Sequence, residues 1–226
     1  MSEWWTYRLY DFLLFTPRTY YRLFELYNAA IWPAQIVAVA LGVLLVLMCA
    51  RGAGRPVALI LAAVWLWVAV AFLALRYATI NWAATYASWG FGVEAALLLW
   101  IAIRGRFDPP PAYARTAGLG LVLFAVFVEP LSGLLLGRPL GQIELFALTP
   151  DPTVVATLGA LLTLRPKRRW LLMIVPVLWC LFTGLTLLAM SARDWWIAPA
   201  AAVLVVVLTL SSRAHSSAVS SLRSSG

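Results

Sequence analysis

Charged residues are what this chain has least of: Asp, Glu, Lys and Arg make up 12% of its 226 residues, where a soluble domain carries about 25%. So few charges cannot cover the surface of a water-soluble globule, and that class is excluded. Histidine is scarcer still. The one copy, His215, lies near the C-terminal end, so a bis-histidine haem, a histidine-rich metal site and a Ser/His/Asp triad within the body of the chain all lack a necessary residue. The two cysteines, Cys49 and Cys180, sit in separate apolar runs, form no C-x-x-C and read as small packing residues rather than a disulfide. No phosphate-binding loop of the G-x-x-x-x-G-K-[S/T] type and no G-x-G-x-x-G turn occurs, so nucleotide-driven work is not indicated. Enzymatic chemistry, a cofactor and a metal set are therefore not expected. Met1 to Asn28 also lacks the basic-then-apolar order of a cleavable signal peptide.

What the chain does have is hydrophobic residues, 63% of the total, and a mean hydropathy of +0.89. Apolar runs at 31–50, 57–75, 86–103, 117–136, 152–164, 170–190 and 197–211 predict an all-α membrane protein, a bundle of about seven transmembrane helices. The run 152–164 is short for a span. With Ile143 to Leu148 before it, it reads either as a helix broken at Thr149-Pro150-Asp151-Pro152-Thr153 or as a tight loop entering an ordinary short helix.

Three regions follow: residues 1–30, the bundle at 31–211, and a Ser-rich tail at 212–226 that composition marks as disordered. In the first region Thr16-Pro17 is a helix start. Tyr20, Leu23, Phe24 and Tyr27 then share one face and Arg18, Arg22 and Glu25 the other. This is an amphipathic helix suited to the membrane interface or to packing against the end of the bundle.

The net charge of +8 comes from 17 basic residues scattered in ones and twos, which argues for topology and lipid contact rather than nucleic acid. The connections after the odd-numbered spans hold Arg51, Arg55, Arg104, Arg106, Arg115, Arg165, Lys167, Arg168 and Arg169. Those after the even-numbered spans hold only Arg76, Arg138 and Arg193. The positive-inside rule puts the first set in the cytoplasm, the N-terminus in the periplasm and the C-terminus inside a bacterial inner membrane. Trp4, Trp5, Trp32, Trp82, Trp89, Trp195 and Trp196 fall near the predicted outer boundary, Trp100 and Trp170 near the inner one.

Ionisable residues within spans carry the functional signal, since each costs a few kcal/mol or more at mid-bilayer unless paired or wetted. Glu94 is the deepest. Glu129 lies in the outer half of the fourth span, directly before Pro130. Asp151 could cap a helix beginning at Pro152 and leave the amides of Thr153 and Val154 free. Asn81, Gln35 and Glu144 fall on the same outer side and could complete a polar pocket. Gly133-Leu134-Leu135-Leu136-Gly137 has the small-xxx-small spacing of a close helix contact, within the bundle or between copies.

The opening Trp4-Trp5-Thr6-Tyr7-Arg8-Leu9-Tyr10-Asp11-Phe12-Leu13-Leu14-Phe15, the run Tyr27-Asn28-Ala29-Ala30-Ile31-Trp32-Pro33-Ala34-Gln35, the segment Ile80-Asn81-Trp82-Ala83-Ala84 and Thr149-Pro150-Asp151-Pro152-Thr153 together resemble a bacterial membrane family catalogued as domain of unknown function 6064. The likeness covers nearly the whole chain up to the tail. It implies a permease-like membrane protein. Asp151 stands where the family pattern often has a cysteine, which counts against a thiol-based metal role. Two functions are expected from these observations: a small permease or channel-like transporter of a small solute or ion, with Glu94 and 149–153 on its path, or a non-enzymatic accessory or scaffold subunit of a larger complex, docked through the aromatic N-terminal segment. Seven spans without evident self-similarity do not show the repeat pairs typical of many secondary transporters, so symmetry lends the transporter reading no support.

Overall fold

The computed structural model describes residues 13–224, with side chains as far as Ser212. Trp4, Trp5, the 4–12 part of the opening motif and His215 lie outside the described residues or side chains.

The chain is helical wherever it is ordered into elements, and among the described residues it contains no strand, only an isolated bridge between Phe107 and Pro166. Helix α1 (Pro17–Ala30) starts where its cap chemistry predicts: Thr16 accepts from the amide of Thr19 at 3.2 Å, and Pro17 occupies the first turn. It turns through 95° into α2 (Ala34–Ala50) and lies across one end of the bundle. The face carrying Tyr20, Leu23, Phe24 and Tyr27 is buried. Protein, not lipid, covers it: Phe24 packs on Phe72 at 5.1 Å, the Tyr27 hydroxyl donates to the carbonyl of Leu148 at 3.1 Å, and Asn28 donates to the carbonyls of Gly141 and Ile143. Of the two placements open for this helix, its apolar face takes the one against the bundle end.

Helix α3 (Gly54–Trp67) continues into wider turns over Val68–Ala74, and α4 covers Ala83–Arg104. Helix α5 (Ala112–Leu123) widens over Phe124–Val128 before α6 (Glu129–Leu135). That widening falls just ahead of Pro130, which has no amide to donate and whose ring crowds the carbonyl four residues back, at Val126. Helices α7 (Pro150–Leu164), α8 (Leu171–Ala189) and α9 (Ile197–Ser224) complete the chain. The backbone of α9 reaches into the stretch that composition marks as a disordered tail.

By length and apolarity four helical stretches could cross a membrane, Gly54–Thr79, Ala83–Arg104, Ala112–Leu135 and Leu171–Ala189, or five if the bent α1–α2 pair is one span. The seven runs expected from hydropathy are thus not all span-length helices. Helix α7 shows why. Each of its 15 residues is buried, so it is enclosed by neighbouring helices and need not match lipid. Its length is about 22 Å at 1.5 Å per residue. Its threonines do not strain this burial, because Thr153, Thr157 and Thr163 each donate to the carbonyl four residues back.

Close approach of α5 to α7 is made possible by Gly118 and Gly159. A Cβ on Gly118 would stand 2.5 Å from the carbonyl oxygen of Gly159, and one on Gly159 would stand 2.7 Å from that of Gly118. The glycines that the sequence pattern singles out serve otherwise. Gly137 sits at φ +81 in a turn, and a Cβ on Gly133 would meet nothing nearer than Arg138.

Helix connections gather at two ends. At one, the amide of Lys167 donates to the carbonyl of Arg106, that of Asp108 to Arg165, and Arg115 donates to the carbonyl of Ala50. This end holds the nine basic residues of the first set. At the other end, α1 covers the 77–79 turn, and Arg138 of the α6–α7 connection pairs with Asp194 of the α8–α9 connection.

Candidate functional site

At the α1 end, a cavity of about 30 Å³ is lined by Glu129, Arg138, Glu144, Asp151 and Asp194, with Ser132 and Gln142 beside them. That volume holds about one water-sized guest. Four acidic side chains thus face one guanidinium. Glu129 comes from the first turn of α6, set by the widened turns before Pro130. Glu144 and Arg138 come from the α6–α7 connection, Asp151 from the first turn of α7, and Asp194 from the α8–α9 connection.

The acids are not equivalent. Asp151 is fully committed: Trp179 of α8 donates to Oδ1 at 2.6 Å and Thr183, one turn on, donates to Oδ2 at 2.8 Å. Asp194 binds Arg138 through Oδ2, while its Oδ1 is buried without a partner. Glu129 likewise has a buried oxygen, Oε2, without a partner. Arg138 lies 4.6 Å from the centre of the Tyr21 ring. Burial opposes its charge, but Tyr21, Asp194 and Glu144 outweigh that and raise its pKa above the ordinary arginine value. Glu144 is pushed well above the usual carboxylate range, first by burial and then by the charge of Asp151, with Arg138 pulling the other way.

Replacing Arg138 with Gln is expected to cost about 2 kcal/mol. This is less than the full cost of breaking a buried pair, because the two side chains keep 14% and 10% of their exposure. Thermal unfolding in nanodiscs over the cycle of R138Q, D194N and the double variant measures it, and the double variant should recover part of the loss.

Of the residues the sequence nominates, Glu129, Glu144 and Asp151 converge here. Asp151 does so by a different role from the one expected. It does not cap α7, whose boundary residue is Thr149, and instead reaches across to α8. Nor is α7 the second half of a broken helix: Leu145 to Thr149 form a turn leading into it. Thr153 does not line the cavity. Its hydroxyl accepts from the amide of Ala147 and donates to the carbonyl of Thr149, closing that turn. Asn81 accepts from the amide of Ala83 at 3.1 Å and shapes the start of α4, and Gln35 donates to the carbonyl of Asn28 at the α1–α2 bend. Neither lines the cavity.

Glu94 also stands apart. It is fully buried on α4, neither carboxylate oxygen has a hydrogen-bond partner, and it does not line the acidic cavity. Arg138 and Asp194 are the residues that sequence reasoning missed. Both lie in short connections, where Arg138 looks like a topology charge and Asp194 like an ordinary loop acid. Their opposite charges in successive connections at one end are the available signal.

A family described as being of unknown function, DUF6064, matches residues 18–219. The chain belongs to this family. The match takes in every residue lining the acidic cavity of this DUF6064 chain and agrees with the resemblance at three of the four motifs, the opening Trp4 to Phe15 lying before the matched residues. No curated protein and no solved structure matches it. Among the described residues, no group of three or more His, Cys, Asp and Glu side chains comes close enough to hold a metal ion. What the cavity offers is four acidic side chains to one guanidinium and two buried acceptor oxygens without a partner, suited to a hydrogen-bond donor or a monovalent positive charge.

Proposed function

We propose that this chain is a multi-pass protein of the bacterial inner membrane that passes a small, positively charged solute or ion through or into the acidic cavity, in the manner of a small permease. Seven helices, α2 to α9 with α5 and α6 taken as one, would cross the bilayer. The enclosed α7 needs no lipid match. The end rich in arginine would face the cytoplasm and the cavity end the periplasm, in keeping with the positive-inside rule. The N-terminus would then be periplasmic and the C-terminus cytoplasmic.

The observation that carries this reading is the pair of buried, partnerless oxygens, Glu129 Oε2 and Asp194 Oδ1, at one cavity whose acids outnumber its single guanidinium. Buried polar groups are retained at such a cost where they meet a ligand or a proton. Glu94 is not assigned to the path, since helix packing seals it.

The test is flux. Proteoliposomes loaded with a pH-sensitive dye and given gradients of Na⁺, K⁺, ammonium or methylammonium, with a protonophore added for Na⁺ and K⁺ so that cation entry drives proton exit, are expected to relax at least tenfold faster than protein-free vesicles for one of these cations. Glu129→Gln should abolish that gain without moving the unfolding temperature. Rates equal to those of empty vesicles for every cation would reject transport and leave the accessory-subunit reading.

A further inference from the structure

The opposite end of the bundle holds a second charged pocket with the reverse sign. A cavity of about 190 Å³ opens between the C-terminal end of α4 and the α7–α8 connection, lined by Trp100, Arg104, Arg106, Lys167 and Arg168, with Ile101 and Gly105 completing it. Four cations meet there with no acid in the lining. The guanidinium of Arg168 lies 5.1 Å from the centre of the Trp100 ring, which holds it over the pocket. The four basic side chains are exposed, so they are free to receive a ligand.

Local partners for this charge are few. The three connections at this end contain one acidic residue, Asp108, and it does not line the pocket. Residues 213–226 contain neither Asp nor Glu. Arg169, next in sequence to Arg168, turns the other way: it is buried and donates to the carbonyl of Thr209 and to the Ser212 hydroxyl, fixing this connection to α9. The backbone bond from the amide of Lys167 to the carbonyl of Arg106 holds the two halves of the pocket together. Four like charges are thus kept close on a tied backbone, and an anion relieves their repulsion. Beside the pocket, Trp100 and Ile103 are 40% and 60% exposed. An aromatic belt residue and an aliphatic one next to clustered cations are what a lipid presents itself to: acyl chains along α4, phosphate among the guanidinium groups.

We propose that this pocket is a specific binding site for the phosphate headgroup of an anionic phospholipid. The proposal rests on the reading of the chain as membrane-spanning and is independent of transport through the acidic cavity. Arg104, Arg106 and Arg168 supply forked donors to phosphate oxygens and Lys167 a point charge.

Native mass spectrometry of the full chain, extracted in mild detergent from vesicles of equal phosphatidylcholine, phosphatidylglycerol and cardiolipin, reads the site directly. Anionic lipid should be retained at one molecule per chain, at least fivefold over phosphatidylcholine. The variant R104Q/R106Q/K167Q/R168Q should lose that adduct, and R106Q/R168Q, a milder change, should lose most of it should the fourfold variant not fold. R51Q/R55Q removes two charges, as R106Q/R168Q does, from the same end outside the pocket and should keep the adduct. Retention by both pocket variants, or equal loss in R51Q/R55Q, would overturn a defined site in favour of diffuse attraction. Displacement of the adduct by millimolar inorganic phosphate would assign the pocket to free phosphate rather than lipid. Flux that fails while lipid retention holds would remove the transport reading alone.

Discussion

Asp151→Ala is expected to destabilise the bundle by about 3 kcal/mol, among the largest effects of any single side chain outside the apolar core. Both its oxygens accept hydrogen bonds from α8, from Trp179 Nε1 and Thr183 Oγ1, and Thr183 is 2% exposed and Trp179 6%. Removing the acceptor strands two buried donors, each costing about 1–3 kcal/mol. Asp151→Asn should cost less, since Oδ1 can still accept from Trp179 while the threonine hydroxyl reorients to accept from the new amide. Unfolding in nanodiscs followed by tryptophan fluorescence separates the two variants. A loss for Asp151→Ala no greater than for a surface change would show that the α7–α8 link is not made. The same pair of variants speaks to function, because Asp151 shapes the cavity wall even though its own acceptors are filled.

Gly159→Ala should cost at least as much, about 3 kcal/mol, the upper part of the usual range for overpacking. Its new methyl would stand 2.7 Å from the carbonyl oxygen of Gly118, 2.9 Å from the Leu121 Cβ and 2.9 Å from the amide nitrogen of Val122. Two of these are backbone atoms and cannot swing aside, so α5 and α7 must separate. Gly120→Ala, two residues along from Gly118, is the control: a Cβ there meets nothing within 4 Å, and the change should be neutral or slightly stabilising through helix propensity. Comparable unfolding temperatures for G159A and G120A would mean that the helices do not cross so closely.

The contrast between these glycines shows where sequence reading stops. Gly133 and Gly137 have the spacing of a packing motif, yet one faces an arginine side chain and the other forms a turn with positive φ. Gly118 and Gly159 lie 41 positions apart, and nothing local to either marks the other as its neighbour. The candidate site divides in the same way. Glu129, Glu144 and Asp151 could be nominated because acids are rare in this apolar chain, whereas their joint cavity with Arg138 and Asp194 depends on α6, the α6–α7 connection, α7 and the α8–α9 connection meeting. Asn81, Gln35 and Thr153 carried the same polar signal and proved to close local turns. A single polar residue near a helix end satisfies local backbone groups as readily as it meets a ligand, so its role is set by what is folded against it.

Composition and periodicity by themselves determined that the chain is all-helical and apolar beyond the range of a soluble globule, that a capped amphipathic helix begins at Thr16, and that basic residues collect in alternate connections. These are local or summed quantities: burial follows residue type, capping needs a few neighbouring residues, and charge alternation survives any bundle arrangement. Only the tertiary structure decided that the aromatic face of α1 is roofed by protein, that the short α7 is enclosed by other helices along its whole length, and that Glu94 is sealed while four other acids share a cavity. Those outcomes depend on which helices touch. Contact between segments far apart in sequence is governed by the packing of whole surfaces rather than by any residue's own preference.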